Sequence, residues 1–337
     1  VAVHVTARVA ASPAGSPDAP VLVVAVVGPT ATGKSDLGLT LAERLGGEVV
    51  NADAMQLYRG MDVGTAKLTP AERRGVPHHL LDVLDPHEEA SVADYQAQAR
   101  SALADVARRG HRAIAVGGSG LYVRALLDHL EFPGTNPDVR AALEARVEVE
   151  GARALHAELE RLDPVAAANI GPRNARRTVR ALEVIALTGR PYSASLPQHV
   201  YEVPAVQLGL DCDRAVLDAR IEARVDRMWE RGLVDEVRGL LGAGMGRTAA
   251  RAVGYAEVVA MLRGELDEAG ARAAITAGTR RLARKQMGWF GRDPRVHWLD
   301  AQDPDLVERA LALVASADAG TLGPATDEPA PRRSLGS

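Results

Sequence analysis

Residues 28–35 read GPTATGKS: Gly28, four residues, then Gly33, Lys34 and Ser35. This spacing suits phosphate. Backbone N–H groups in such a loop cradle phosphate oxygens, Lys34 adds a positive charge, and the Ser35 hydroxyl can reach a Mg²⁺ ion. Loops of this form commonly hold ATP or GTP, but an ATPase or kinase also needs a metal-orienting carboxylate, usually at the end of a neighbouring strand. The segment RAIAV ends instead in Gly117-Gly118-Ser119-Gly120. The strand-end carboxylate is Asp53, which opens a polar, glycine-rich stretch, NADAMQLYRGMDVGTAK, that lacks clear periodicity. A loop of that length suggests function. Asp53 on its own also fits a helix cap or a turn residue.

Two basic clusters form a second constellation. PRNARRTVR carries Arg173, Arg176, Arg177 and Arg180, which on a helix would share one face. TRRLARKQMGWFGR carries Arg280, Arg281, Arg284, Lys285 and Arg292. Either cluster alone reads equally as a solvated face. Together, in a chain with a formal charge of −4, they suggest a local basic channel for an anionic polymer. His78 and His79 are adjacent and diverge, with no cysteine or further histidine at ligand spacing, so they read as structural or positioning residues.

The elements that must position these residues are legible in outline. VLVVAVV is a β-branched run suited to a strand buried on both faces, and SDLGLTLAERLGG has helical spacing ending at glycine. GEVVNAD and RAIAV add strands, with the amphipathic ADYQAQARSALADVARRGH between them. This alternation predicts an α/β fold: a P-loop core built on a doubly wound parallel sheet, with ligands beyond the carboxyl ends of the strands, where Thr30, Asp53 and Ser119 fall. From about residue 131 to 199 helical patterns dominate, predicting a mostly helical insertion domain. VPAVQLGLDC resumes the sheet, a long helical region follows, and RVHWLD is a candidate last strand. The core therefore comprises residues 21–130 plus about 200–315.

Composition sets the bounds. The chain has 337 residues, 47% of them apolar and only 3% aromatic, so Leu, Val and Ala must build the core. One cysteine, Cys212, points to a reducing cytoplasm. No apolar run is long enough to span a membrane. Residues 1–20, broken by His4, Thr6 and Arg8, read as a disordered leader rather than a signal peptide, and residues 318–337 as a disordered tail. A monomer is expected.

With these motifs assembled, the chain resembles the bacterial tRNA dimethylallyltransferases (tRNA isopentenyltransferases) from about Val21 to Asp300. The resemblance rests on GPTATGKS, DAMQLYRGMDVGTAK, PHHLLDV, VGGSGLY, RRTVRALEV, RIEARV, RAVGY and RKQMGWF, which occur in the family's order. It implies transfer of a five-carbon allyl group from dimethylallyl diphosphate to the exocyclic amine of the adenosine on the 3′ side of the anticodon. Diphosphate is released, and Mg²⁺ assists. On this resemblance the loop holds the diphosphate of an isoprenoid donor rather than a nucleotide.

The resemblance also assigns roles. Gly28, Pro29, Thr30, Ala31, Thr32, Gly33, Lys34 and Ser35 would bind the donor diphosphate, with Ser35 on the metal. Asp53 occupies the family's base position, and Thr30 and Arg224 would orient the donor. Segments 53–56 (Asp53, Ala54, Met55, Gln56), 176–180 (Arg176, Arg177, Thr178, Val179, Arg180) and 251–256 (Arg251, Ala252, Val253, Gly254, Tyr255, Ala256) would contact tRNA, as would Ser119 and Arg140. Tyr58, Tyr122 and Tyr255 are candidate stacking partners for an extruded base. Ser119 stands where threonine is usual, Ala54 where serine is common, and Ala256 replaces a polar or basic residue. Residues 1–337 carry no cysteine-histidine zinc pattern like that of eukaryotic relatives, so the bacterial type is expected. Rival readings are a prenyltransferase of free adenine nucleotides, a P-loop ATPase or kinase, and a non-catalytic RNA-binding module.

Overall fold

The computed structural model describes residues 21–195 and 199–325. The leader expected at 1–20 lies outside them, as do residues 326–337 of the expected tail. The chain forms two compact units, one from Asp128–Val200 and the other from the remaining residues on both sides.

The larger unit is organised around a six-stranded sheet. Its strands are β1 (Val23–Val27), β2 (Gly47–Asn51), β3 (His78–His79), β4 (Arg112–Val116), β5 (Ala205–Asp211) and β6 (Val296–Asp300). The spatial order is β3-β2-β4-β1-β5-β6, and every pairing is parallel. Every residue of β1 is buried, as the VVAVV run requires of a central strand covered on both faces. From β1 the chain crosses to β2 on one side, and from β4 it passes to β5 on the other. The connection therefore reverses beside β1 and β4, and a crevice opens beyond their carboxyl ends.

The first three helices are α1 (Lys34–Leu45), α2 (Val92–Arg108) and α3 (Gly120–Leu127). Helix α1 buries Leu37, Leu39, Leu41 and Ala42 and ends at Gly46 in the left-handed conformation. Helix α2 starts where the Ser91 hydroxyl accepts from Asp94 N. Strand β2 ends at Asn51, two residues before the Asp53 end expected from the sequence. The two-histidine edge strand β3 was not expected.

The smaller unit is helical: α4 (Pro137–Glu150), α5 (Ala152–Leu162), α6 (Pro164–Ile170) and α7 (Ala175–Thr188). Its first three helices are separated by Gly151 and by Asp163, which caps α6 through Ala166 N. Asn136 caps α4, with Pro137 in the first turn. Leu143, Leu155, Leu159, Val179 and Leu182 form its core. His129 N donates to Val200 O at 3.2 Å, closing the two ends of the segment on each other.

The larger unit resumes with α8 (Arg214–Glu230), α9 (Leu233–Ala243), α10 (Arg247–Ala250), α11 (Tyr255–Leu262) and α12 (Glu268–Phe290), and ends with α13 (Leu306–Asp318). The long helical region after β5 is thus two helices, broken at Gly232, whose φ of 88° a helix interior does not allow. Of the stretch expected as a tail from residue 318, Asp318 belongs to α13 and Leu322 packs against the main core. Among the described residues, no helix is long and apolar enough to cross a membrane.

Candidate active site

Between β1 and α1 the chain makes the turn that GPTATGKS requires. Gly28 has φ 126°, and a Cβ there would sit 2.5 Å from Leu210 O, so only glycine lets the loop leave the sheet this close to β5. The loop is then braced by its own side chains. Thr32 Oγ1 donates to Pro29 O at 2.8 Å, and Lys34 Nζ donates to the same carbonyl at 2.5 Å. From α12, Gln286 Oε1 accepts from Thr30 N at 2.8 Å. Gln286 is itself enclosed against Gly118, where a Cβ would come within 2.2 Å of its amide nitrogen.

A cavity of about 660 Å³ opens over this loop, beyond the carboxyl ends of β1, β2 and β4. Residues 30–35, Asp53, Gln56, Gly117, Gly118 and Arg224 line it, together with Val63, Thr65 and Lys67 of the long loop. Arg224 projects from α8. Its Nη1 donates to Thr30 Oγ1 at 3.2 Å and its Nη2 to Thr65 O at 3.3 Å. Burial pushes Arg224 below the ordinary guanidinium value, with Asp53 opposing that shift and Arg227 adding to it. Lys34 is pushed down to about 8, first by burial, against the pull of Asp53 and with the push of Arg224.

Asp53 has a dual position. Its Oδ1 accepts from Met55 N at 2.9 Å, which is the turn role its sequence allows. It also faces the cavity and exerts a charge effect on both Lys34 and Arg224. Asn51 fixes its backbone: Asp53 N donates to Asn51 Oδ1 at 2.9 Å, and Asn51 Nδ2 donates to Asp53 O at 3.0 Å. Ser119 lies beside it, with Oγ accepting from Ala54 N at 3.1 Å. Residues 30–35 of the phosphate loop, Asp53, Gln56 and Arg224 therefore line one cavity, while Gly28 and Pro29 lie outside its lining; such a cavity can bind a polyphosphate next to a carboxylate.

The remaining sequence-based assignments divide. In the helical unit, Asn174 caps α7, so Arg173 precedes the helix and does not share its face. Arg176 and Arg177 are exposed, whereas Thr178 and Val179 are buried. Arg180 is engaged: it donates to Pro133 O, Gly134 O and the fully buried Glu183, which also takes Arg140 at 2.6 Å. The continuous four-arginine stripe expected from spacing is therefore interrupted. Arg280 likewise pairs with Asp218 and Glu222 of α8.

In the 251–256 segment Arg251 is exposed, while Ala252 and Tyr255 are buried. Tyr58 and Tyr255 are fully enclosed, and Tyr122 packs on Tyr95 with ring centroids 4.5 Å apart. The expectation that these tyrosines offer stacking faces is corrected: in a chain so poor in aromatics they fill the core. His79 serves structurally, its Nε2 lying 2.5 Å from Glu48 Oε2.

Asn51, Gln286 and Thr65 were missed by sequence reasoning. Each acts through or on a backbone group, and such a role leaves no spacing signature. The available cues were that Asn51 lies close to Asp53 and that Thr65 and Gln286 fall within DAMQLYRGMDVGTAK and RKQMGWF.

Comparison with known proteins shows the family. The family model described as IPP transferase matches residues 56–293. The tRNA dimethylallyltransferase of Thermobifida fusca is 60% identical, covering 87% of this chain and 94% of its own. That of Streptomyces coelicolor is 59% identical over 89% of this chain and 97% of its own. Among solved structures, a tRNA isopentenylpyrophosphate transferase from Bacillus halodurans superposes with a TM-score of 0.65 at 42% identity, covering 89% of this chain and 96% of that one. A eukaryotic dimethylallyltransferase acting on tRNA gives a TM-score of 0.77 at 26% identity, covering 88% and 79%. A match of this extent, over a phosphate loop and cavity of this form, makes the chain a member of the IPP transferase family.

Proposed function

We propose that this chain transfers a dimethylallyl group from dimethylallyl diphosphate to the exocyclic amine of the tRNA adenosine on the 3′ side of the anticodon, releasing diphosphate. The observation that carries this is the convergence of Lys34, Arg224 and Thr30 with Asp53 on one cavity. An adenine amine is a weak nucleophile, because its lone pair is delocalised into the ring. The step needs a leaving group whose growing charge is stabilised and an acceptor for the amine proton. The C–N bond forms as the allylic C–O bond breaks, and the electron pair leaves with the diphosphate. Loop N–H groups, Lys34 and Arg224 face that charge, and Asp53 takes the proton.

Mg²⁺ fits the donor set. Ser35 is half-buried on the cavity wall in the first turn of α1, and its hydroxyl is a hard oxygen ligand that, with diphosphate oxygens and water, suits this ion. Ser35 would hold Mg²⁺, which when bound supplies further neutralisation of the leaving diphosphate.

The acceptor is RNA rather than a free nucleotide on the strength of the helical unit and its exposed Arg176 and Arg177. A buried lone thiol, Cys212, suits a cytoplasmic site of action. Incubation with dimethylallyl diphosphate, Mg²⁺ and unmodified tRNA, followed by mass analysis of the nucleosides, tests the reading. An allylated adenosine is expected. Faster turnover on AMP than on an anticodon stem-loop would favour the free-nucleotide enzyme instead.

A further inference from the structure

The long loop after Asp53 forms one wall of the cavity through Val63, Thr65, Ala66 and Lys67, yet much of it has no regular structure. Something must hold it, because irregular backbone on a cavity wall otherwise fluctuates. Part of the answer is Lys67, whose Nζ is bound by Tyr58 O, Asp62 Oδ1 and Asp82 Oδ1. The rest comes from outside the loop, from Glu236 in the first turn of α9.

Glu236 accepts four hydrogen bonds. Its Oε2 takes Asp62 N at 3.0 Å and Val63 N at 2.7 Å, and its Oε1 takes Gly64 N at 3.1 Å and the Tyr255 hydroxyl at 2.6 Å. Three successive N–H groups closing on one carboxylate form an anion-binding turn, and here the anion is part of the protein. The Tyr255 ring presses on the same turn: a Cβ at Gly64 would meet it at 2.4 Å. The next residue, Thr65, offers its carbonyl to Arg224 Nη2, while Arg224 Nη1 reaches Thr30 Oγ1. Glu236 does not itself line the cavity.

We propose that Glu236 is a positioning residue for the transfer: by fixing the turn at 62–64 it sets the Thr65 carbonyl, which holds Arg224 against the phosphate loop. The assignment rests on the reading of this cavity as the donor site. A guanidinium has five donors in a rigid fork, so one well-placed carbonyl decides where the other nitrogens point. A carboxylate suits the task better than an amide, because Glu236 accepts all four of these bonds and the N–H₂ of Glu236→Gln would have to face at least one of the backbone N–H groups of Asp62, Val63 and Gly64.

The test is direct binding of dimethylallyl diphosphate with Mg²⁺, by calorimetry, to the full chain and to Glu236→Gln, Tyr255→Phe, Arg224→Ala and the Glu236→Gln/Arg224→Ala pair. Glu236→Gln is expected to weaken donor binding about tenfold, the worth of one misdirected charged hydrogen bond. Stem-loop affinity should not move. Tyr255→Phe should shift donor binding the same way by less, and it carries the test if a melt shows that Glu236→Gln does not fold. In the Arg224→Ala background the further effect of Glu236→Gln should vanish. An unchanged donor affinity in both Glu236→Gln and Tyr255→Phe, or a loss undiminished without Arg224, overturns the assignment. Failure of the unmodified chain to bind donor at all overturns the donor reading itself, and the assignment with it.

Discussion

Lys34 is bent back onto its own loop: its Nζ donates to the Pro29 carbonyl at 2.5 Å. The charge is thus held in place before any phosphate arrives, with Asp53 nearby and Arg224 repelling it. Burial lowers its pKa from 10.5 to about 8, so the cation is present below that value and is lost as pH rises through it. In the free protein this costs stability where the lysine is charged, and the cost falls away between about 8 and 10.5. Bound diphosphate favours the cation. Donor binding should therefore take up a proton near pH 8 to 9, measurable as a buffer-dependent calorimetric enthalpy. Lys34→Ala should abolish that uptake and lower kcat by about a hundredfold to a thousandfold, as for loss of one group facing developing charge. Its stem-loop affinity should stay near that of the unmodified chain.

Glu48 makes a prediction about acid stability. Its carboxylate on β2 is held down to about 2 by Arg109, against the opposing effect of burial and with help from His79 and His111. A depressed carboxylate contributes stability above its ordinary value of 4.5 and loses it as pH falls toward about 2. Denaturant melts across that window should show the loss. Glu48→Gln should destabilise the chain at neutral pH by about 1–3 kcal/mol and flatten the acid limb. Equal slopes for the two proteins would place the acid lability elsewhere.

Arg177 and Arg180 should part company. Arg177 is exposed, so Arg177→Ala should reduce the slope of log tRNA affinity against log salt by about one unit while leaving the melting point alone. Arg180 holds Pro133 O, Gly134 O and Glu183, so Arg180→Ala should chiefly destabilise the helical unit. Identical salt slopes for Arg177→Ala and the unmodified chain would mean that this face is merely solvated.

The contrast between these two arginines also shows how far the sequence could be read. Periodicity locates β1, α1, β4 and the onset of the helical unit, because burial on one face or two leaves a repeating pattern. The phosphate loop is legible because its backbone demands glycine at fixed places. The same spacing overreads Arg173 to Arg180, because a cap at Asn174 and a buried Glu183 alter what each side chain can do. Gln286 and Thr30 are 256 residues apart, and no local rule predicts a bond from a side-chain amide to one loop N–H. The stacking tyrosines fail for a compositional reason: with so few rings available, the interior claims them.

Asp53→Asn separates the two roles that one side chain fills. Its Oδ1 accepts from Met55 N, and an amide oxygen can keep that bond, so the turn should survive. An amide cannot take the amine proton. If Asp53 is the base, turnover should fall by about a hundredfold to ten-thousandfold, the usual worth of a positioned base. The substitution also removes a negative charge that holds up the pKa values of Lys34 and Arg224. The Lys34 cation should then be lost at lower pH, and donor binding should weaken on the alkaline side even where chemistry is not measured. Tight donor and tRNA binding near neutral pH with slow single-turnover chemistry is the expected result, because loss of an interaction made only in the transition state appears in kcat. A lowered melting point with a near-normal chemical rate per folded molecule would reduce Asp53 to its turn, and the proton would have to leave by another group.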